Sequence, residues 1–414
     1  MANISTELDS MLLSPNFIED PYPTYEALRS NDPVHWSDAW GCWLLTRHAD
    51  CDAVLRDTRR FTNVGRIARF LDTLPSADRE DAKPLYDHFA AGLNHSDPPD
   101  HTRIRALVIK AFTPGSVRRL QSRIEALVHE LIDHVVPAGG MDLIADFAYP
   151  LPAIITGEML GFPDKDRPRF KAWSDAIVAF HGTGRADPST VRRSREALLE
   201  ARAWLAGLVE QRRREPRDDL LSALALARQQ GKGLTEVELF STCITFMVGG
   251  HETTTNLIGN GMLALLRHPD QLQRLSRDDD LLEPAVEELL RYDAPAQRAQ
   301  RLAREDMQVN GRRIKRGQLV QPVLGAANRD PARFVDPDRL DIARRENPHL
   351  AFGTGTHFCT GAALARLEGR IALGALLRRL ANIKLRDPDA IAWSPNSFFR
   401  GLKALHLDFD ERHS

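Results

Sequence analysis

The chain has 414 residues, an ordinary apolar share and a formal charge of only -2, with acids and bases interspersed. That length allows roughly two or three ordinary domains, or one large domain around a buried group, and the even charge excludes both a disordered chain and a protein built chiefly for nucleic acid. Cys42, Cys51, Cys243 and Cys359 show no disulfide spacing, as in a reducing cytoplasm, and the N-terminal MANISTELDSMLLSPNF has neither a basic start nor a long apolar run, so neither a signal peptide nor a membrane anchor is expected.

In chain order, Asp20 to Arg29 reads as a Pro-bounded loop running into a short helix. Pro33 to Ser37 and Cys42 to Thr46 read as a hairpin, and His48 to Arg56 as a helix. Phe61 to Leu93, punctuated by Gly65, Pro75, Pro84 and Gly92, is expected to be irregular, and long loops of that kind are usually functional. Pro98 and Pro99 precede a helix on which His101 and Arg105 stand four residues apart, so both can reach one anion. Val117, Leu120, Ile124, Leu127, Leu131 and Val135 mark an amphipathic core helix that ends before Pro137. Arg167 to Phe180 and Pro188 to Arg213 are two helices, and Gly182 and Gly184 in the HGTGRAD between them make it a candidate joint.

Thr235 and Glu238 form a capping box that opens the longest helical segment, running to about Arg267. In its middle Gly249 and Gly250 cost roughly 1 kcal/mol each relative to alanine, and His251, Glu252 and the β-branched Thr253, Thr254 and Thr255 follow. A helix weakened there is expected to open its hydrogen-bond ladder into a groove for a small ligand and water. Glu288 and Arg291 in EPAVEELLRY lie at i,i+3 and can meet on one face. Asp306 to Val323 alternates and carries the hairpin signal Asn310-Gly311. Phe398 and Phe399 form a tip before a last strand, Leu405 to Phe409.

Ala351 to Arg370, AFGTGTHFCTGAALARLEGR, sets Cys359 among Gly353, Gly355 and Gly361, just ahead of a helix marked by Leu364, Leu367, Ile371 and Ala375. The positive end of that helix lowers a thiol's pKa, and the glycines admit backbone N–H groups to the sulfur, as an axial thiolate on haem iron requires. No CxxC accompanies the cysteine, so zinc is disfavoured. The pattern F-G-x-G-x-H-x-C-x-G, filled by Phe352, Gly353, Gly355, His357, Cys359 and Gly361, closely resembles the haem-binding loop of the cytochrome P450 family, in its soluble bacterial form. The resemblance extends from about Asp20 to Phe409.

The resemblance implies a single domain over residues 1–414, mainly α with small antiparallel β-sheets, holding haem b between the long central helix and the cysteine helix. Cys359 would be the axial iron ligand, with Phe352 packed against its loop and Gly361 following it. His101, Arg105, Arg301 and His357 would hold the haem propionates. MVGGHETTTN resembles the oxygen-binding helix, which puts Glu252 and Thr253 at the acid and alcohol positions used to deliver protons. Gly249 stands where many members have alanine, leaving room over the haem, and His251 should point away. Glu288 and Arg291 match a buried structural pair whose third partner is expected near Arg339.

By the same resemblance the helix pair after Arg167 is a lid, and Phe89, Thr245, Val248, Gly249, Gln297, Arg298, Phe398 and Phe399 border the substrate pocket. Val64, Ile67, Phe70 and Leu85 are further candidates from the irregular stretch. The polarity of Ala296 to Gln300 is unusual for a site that accepts only hydrocarbons. The implied activity is insertion of one oxygen atom from dioxygen into a small organic substrate. Electrons would come from NAD(P)H through an external ferredoxin or flavodoxin with its reductase, docking near Arg103, Lys110 and Arg366. A peroxide-driven peroxygenase and a noncatalytic haem carrier or sensor are the rival readings, and the intact Glu252 and Thr253 argue against both. Neither nucleic acid nor membrane is an expected partner.

Overall fold

The computed structural model describes residues 2–182, 187–229 and 233–412. Its axis is the helix Glu236–Arg267, which starts where local chemistry says it should. The Thr235 hydroxyl accepts from the Glu238 N–H at 3.3 Å, and the Glu238 carboxylate accepts from the Thr235 N–H at 2.8 Å. Beyond Leu257 this helix is apolar on nearly every side, because the helices Pro114–Val135, Leu282–Tyr292 and Ala362–Arg379 and the segment Leu143–Leu160 enclose it in one apolar cluster. Before Met247 it lies in a second cluster, with the pair Arg167–Gly182 and Pro188–Arg214. The stretch from Gly249 to Asn256 belongs to neither. Along that stretch the helix has open space beside it at Gly249.

Several expected elements take a different form. The stretch Phe61 to Leu93 is mostly short helices, Arg66–Leu71, Ser76–Asp81 and Lys83–Ala90. Gly65, at φ 85°, and Pro75 sit at the N-caps and Pro84 in the first turn of the third, so the punctuation bounds helices here where it was read as excluding them. The central helix stays α-helical through Gly249 and Gly250. A Cβ on Gly250 would stand 2.5 Å from Thr156 Oγ1, so the glycine there serves close helix packing and no opened ladder is present. A helix Ala2–Leu13, not foreseen, buries Leu8 and Leu12 against Phe17, Tyr25 and Leu28. Gly182 ends its helix, while Gly184 of the candidate joint lies outside the described residues.

The sheets are small but not all antiparallel. A five-stranded sheet runs in the order Val34–Ser37, Cys42–Leu45, Leu319–Pro322, Arg301–Ala303, Phe61–Thr62. Its second and third strands are parallel, with Trp43 opposite Val320, and the helical body between them is the crossover that a parallel pair needs. Gly140–Asp142, His406–Glu411 and Leu380–Leu385 form an antiparallel three-stranded sheet. Met307–Val309 and Arg312–Ile314 make a hairpin whose Asn310 and Gly311 have φ of 45° and 75°, the left-handed pair that a tight turn of this kind requires. Leu143–Leu160 is, among the described residues, the one stretch long and apolar enough to cross a membrane, and more than half of it is buried in the core.

Candidate active site

A cavity of about 940 Å³ opens where the two apolar clusters part, at the large end of the ~300–1,000 Å³ usual for ligand sites. The cysteine loop forms one side, with Phe352, Cys359, Gly361 and Leu364. The central helix forms another side, with Thr245, Val248, Gly249 and Thr253. Gly353 and Gly355, at φ 64° and 70°, bend the loop so that the Cys359 N–H reaches the Phe352 carbonyl at 3.0 Å. The thiol is exposed, but into the cavity and not to bulk water. Burial pushes its pKa up, opposed by the Gly361 N–H, then Arg105 and Arg366, then the Ala362 N–H. The helix end and the arginines act in the expected direction, lowering the thiol's pKa, but do not by themselves outweigh desolvation, and a cation at the sulfur would complete the shift.

A rim of donors stands beside the loop. The His101 and His357 rings lie with centroids 4.1 Å apart and tilted by 48°, and both His101 nitrogens are buried without a partner among the described residues. Asn63 joins His357 Nε2 at 2.7 Å and accepts from Arg301 at 3.1 Å, while Arg105 donates to the Phe358 carbonyl at 2.8 Å. Burial first, then the neighbouring arginines, hold both histidines below their usual pKa, His357 at about 2. Desolvation likewise lowers Arg301. A cluster this poor in negative charge, with orphaned donors facing a cavity, fits a ligand that brings carboxylates of its own, as haem does.

On the central helix, Thr253 Oγ1 donates to the Gly249 carbonyl at 3.2 Å and lines the cavity. Glu252, one residue earlier and about 100° round the helix, does not. It lies towards Tyr149, Asp175 and Lys171, where burial and then Asp175 raise its pKa. A Cβ on Gly249 would meet nothing within 4 Å. His251 points away from the cavity, its Nδ1 bonded to the Met247 carbonyl at 2.6 Å and its ring edge-on to Tyr149.

Phe89, Ile67, Phe70, Arg298, Phe398 and Phe399 also line the cavity. Gln297 does not: its amide is buried beside Gly325, donating to the Ala294 carbonyl at 2.7 Å. Val64 is exposed to solvent and Leu85 sits in the core, so neither lines it. Glu288 and Arg291 meet fully buried, with a two-pronged pair at 2.7 and 2.8 Å. Their third charge is Arg344, 3.0 Å from Glu288, whereas Arg339 contributes only its carbonyl. Arg103 and Arg366 are engaged by Glu238 and Glu287.

Among the cavity residues that escaped the sequence reading are Asn63, Arg66, Arg69 and Glu368. Glu368 is 1% exposed, neither carboxyl oxygen has a partner, and burial pushes its pKa up to about 8. A signal was present, because Glu368 falls on the apolar stripe between Leu364 and Ile371.

The chain matches the family model "Cytochrome P450" over residues 70–390. It belongs to the cytochrome P450 family. Among the relatives of this P450, the cytochrome P450 monooxygenase PikC of Streptomyces venezuelae is 42% identical over 412 residues, 97% of this chain and 94% of that protein. The polyketide biosynthesis cytochrome P450 PksS of Bacillus subtilis is 39% identical, covering 95% and 97%. The solved structure of P450BioI with an acyl carrier protein superposes with a TM-score of 0.88 at 36% identity, covering 96% of this chain and all of that one. The protein is thus a haem-thiolate monooxygenase with the P450 fold, an oxidoreductase that uses haem and dioxygen and works with redox partners on small organic substrates.

Proposed function

We propose that residues 1–414 act as one P450 domain in which Cys359 is the axial ligand of haem b, seated between the cysteine helix and the central helix. One observation carries this reading: Cys359 and Thr253 line a single cavity that His101, Arg105, Arg301 and His357 also line. When bound, haem supplies the activation of dioxygen and the transfer of one oxygen atom to substrate. The chain's own part is to bind, orient and move protons. His101, Arg105, Arg301 and His357 take the propionates, with Asn63 holding His357 and Arg301 in place. Phe352 and Gly361 shape the ligand loop. Thr253 orders a proton donor at the cavity wall through the hydroxyl lone pairs that its bond to Gly249 leaves free, and Glu252 links that site to the Lys171 and Asp175 side. Gly249 leaves space for substrate, which Phe89, Thr245, Val248, Arg298, Phe398 and Phe399 border.

Electrons come from NAD(P)H through a ferredoxin or flavodoxin and its reductase, in the cytoplasm. The family's shared need for redox partners supports that route, and the absence of disulfide spacing supports the compartment. The test is Cys359→Ser: the reduced carbon monoxide complex should lose its thiolate-specific red-shifted Soret band, and a mutant that keeps the band overturns the ligand assignment. Product formed per NADPH consumed, with surrogate redox partners, separates a monooxygenase from a peroxide-driven enzyme or a carrier.

A further inference from the structure

Trp40, Gly41, Arg69, Arg298, Gln321 and Phe398 make one wall of the cavity, and that wall carries two guanidinium groups. Arg298 is 5% exposed. Its Nη1 donates to Gln321 Oε1 at 3.0 Å, its Nη2 to Ser397 Oγ at 2.8 Å, and its guanidinium lies 4.1 Å from the Trp40 ring centroid. Its Nε has no partner. Both recorded acceptors are neutral, so several of the five guanidinium N–H groups have no acceptor.

Nor is there a counter-ion. Arg212, Arg291, Arg329 and Arg400, all buried, each hold a carboxylate, whereas Arg298 has none among the described residues. The groups nearest to balancing its charge are the Tyr25 phenol and the Cys42 thiol. Burial pushes each of those to about 12, so both are neutral at physiological pH. Arginine does not shed its proton, and an unpaired buried charge is costly. Arg301, the other buried arginine that lines the cavity, likewise holds no carboxylate among the described residues, and its missing anion is the haem propionate of the preceding reading.

We propose that Arg298 receives a carboxylate carried by the substrate, so that this P450 takes monoanionic amphiphiles whose apolar body lies along Phe398, Phe399 and the central helix. The proposal rests on the monooxygenase reading and names the substrate class of the same site. A carboxylate fits better than a phosphate, because the buried arginine on this wall leaves a single positive charge unbalanced, which one monoanion matches. Arg69, only partly buried, donates through its terminal nitrogens to the Gly317 and Gly41 carbonyls, at 3.1 and 3.3 Å, and adds positive field to the same wall. The competing account makes Arg298 a staple between Gln321 and the Ser397 turn, indifferent to ligand charge.

Binding of matched probes to the haem-loaded enzyme decides between them, read both by the spectral shift on displacement of iron-bound water and by calorimetry. The probes are a carboxylic acid, its methyl ester and the corresponding primary amine on linear twelve-carbon, naphthalene and steroid skeletons, together with dodecyl phosphate. On at least one skeleton the wild type should bind the acid about tenfold or more tighter than ester and amine. Arg298→Gln should bring acid and ester to about the same affinity, and Arg298→Lys should keep part of the preference, because charge remains while the fork is lost. The proposal is overturned if no skeleton shows an acid preference in the wild type, if none binds, if dodecyl phosphate outcompetes the carboxylates, or if the preference survives Arg298→Gln. The reduced carbon monoxide band is recorded for every protein. Its absence from the wild type would sink the haem-thiolate reading, while the calorimetric acid preference would still decide the role of Arg298.

Discussion

Glu368 couples the cavity to pH through a group with no partner at all. Its folded pKa of about 8 lies above the ordinary carboxylate value, so below about pH 4.5 it is protonated in both states and costs nothing. As pH rises towards 8 the unfolded chain ionises and the folded chain does not, so stability falls by up to about 1.4 kcal/mol per pH unit. Glu368→Gln should therefore match the wild type near pH 4.5 and become progressively more stable up to pH 8. Urea denaturation of the two proteins at three pH values checks this, and parallel pH profiles would show that the carboxyl ionises freely in the fold. Thr253 poses a sharper question, since its hydroxyl already has an acceptor in Gly249. Helical threonines often bond back in this way and do nothing further. If its lone pairs order a proton donor, Thr253→Ala keeps the reduced carbon monoxide spectrum and substrate affinity. Product per NADPH should then drop severalfold while hydrogen peroxide rises. Unchanged coupling would leave the hydroxyl a helix contact only.

At the scale of elements, the central helix contains a controlled comparison. Gly249 and Gly250 are adjacent and helical, yet one faces open cavity and the other presses on Thr156. Gly249→Ala should stabilise the fold by up to ~1 kcal/mol through helix propensity while narrowing the cavity. Gly250→Ala gains the same propensity but meets Thr156 atoms at 2.5 and 2.8 Å, and overpacking of ~1–3 kcal/mol should win. Thermal unfolding of the two variants should shift in opposite directions. The helix Leu282–Tyr292 carries the other test. Removing Glu288 leaves Arg291 buried and unpaired, at a cost of roughly 3–5 kcal/mol, and removing Arg291 leaves Glu288 with Arg344 alone, so haem-loaded yield should fall in both variants more than substrate affinity changes. Normal haem content in both alanine variants would deny the pair a structural role. What sequence could show about such elements followed the range of the interaction. The Thr235 capping box and the Asn310-Gly311 turn are closed within four residues and were readable. That Arg344 pairs with Glu288, and Arg339 does not, depends on how a loop lies across a helix, and no local pattern carries it.

The whole molecule separates in the same way. Phe352 to Gly361 announced the cysteine loop, and the clustering of His101, Arg301 and His357 at one rim is a fact of tertiary structure that spacing alone could not give. Gln297 and Arg298 are neighbours in sequence with opposite fates, because the way each side chain turns is set by distant partners, Gly325 beside Gln297 and Trp40 beside Arg298. The short helices between Arg66 and Ala90 are too brief to set up a clear apolar period, so their glycine and prolines dominated the pattern. The parallel pairing of Cys42–Leu45 with Leu319–Pro322 has a further consequence, which concerns time. On a ribosome adding ~5–20 residues per second, the N-terminal hairpin waits on the order of a quarter-minute to a minute for the strand that covers it. Trp40 belongs to the early part of that wait, and Arg298 and Gln321 to its end. The wall that would discriminate ligand charge thus comes into being only after both ends of the chain have been made. A nascent or C-terminally clipped enzyme, however well its helices form, has no such wall with which to choose.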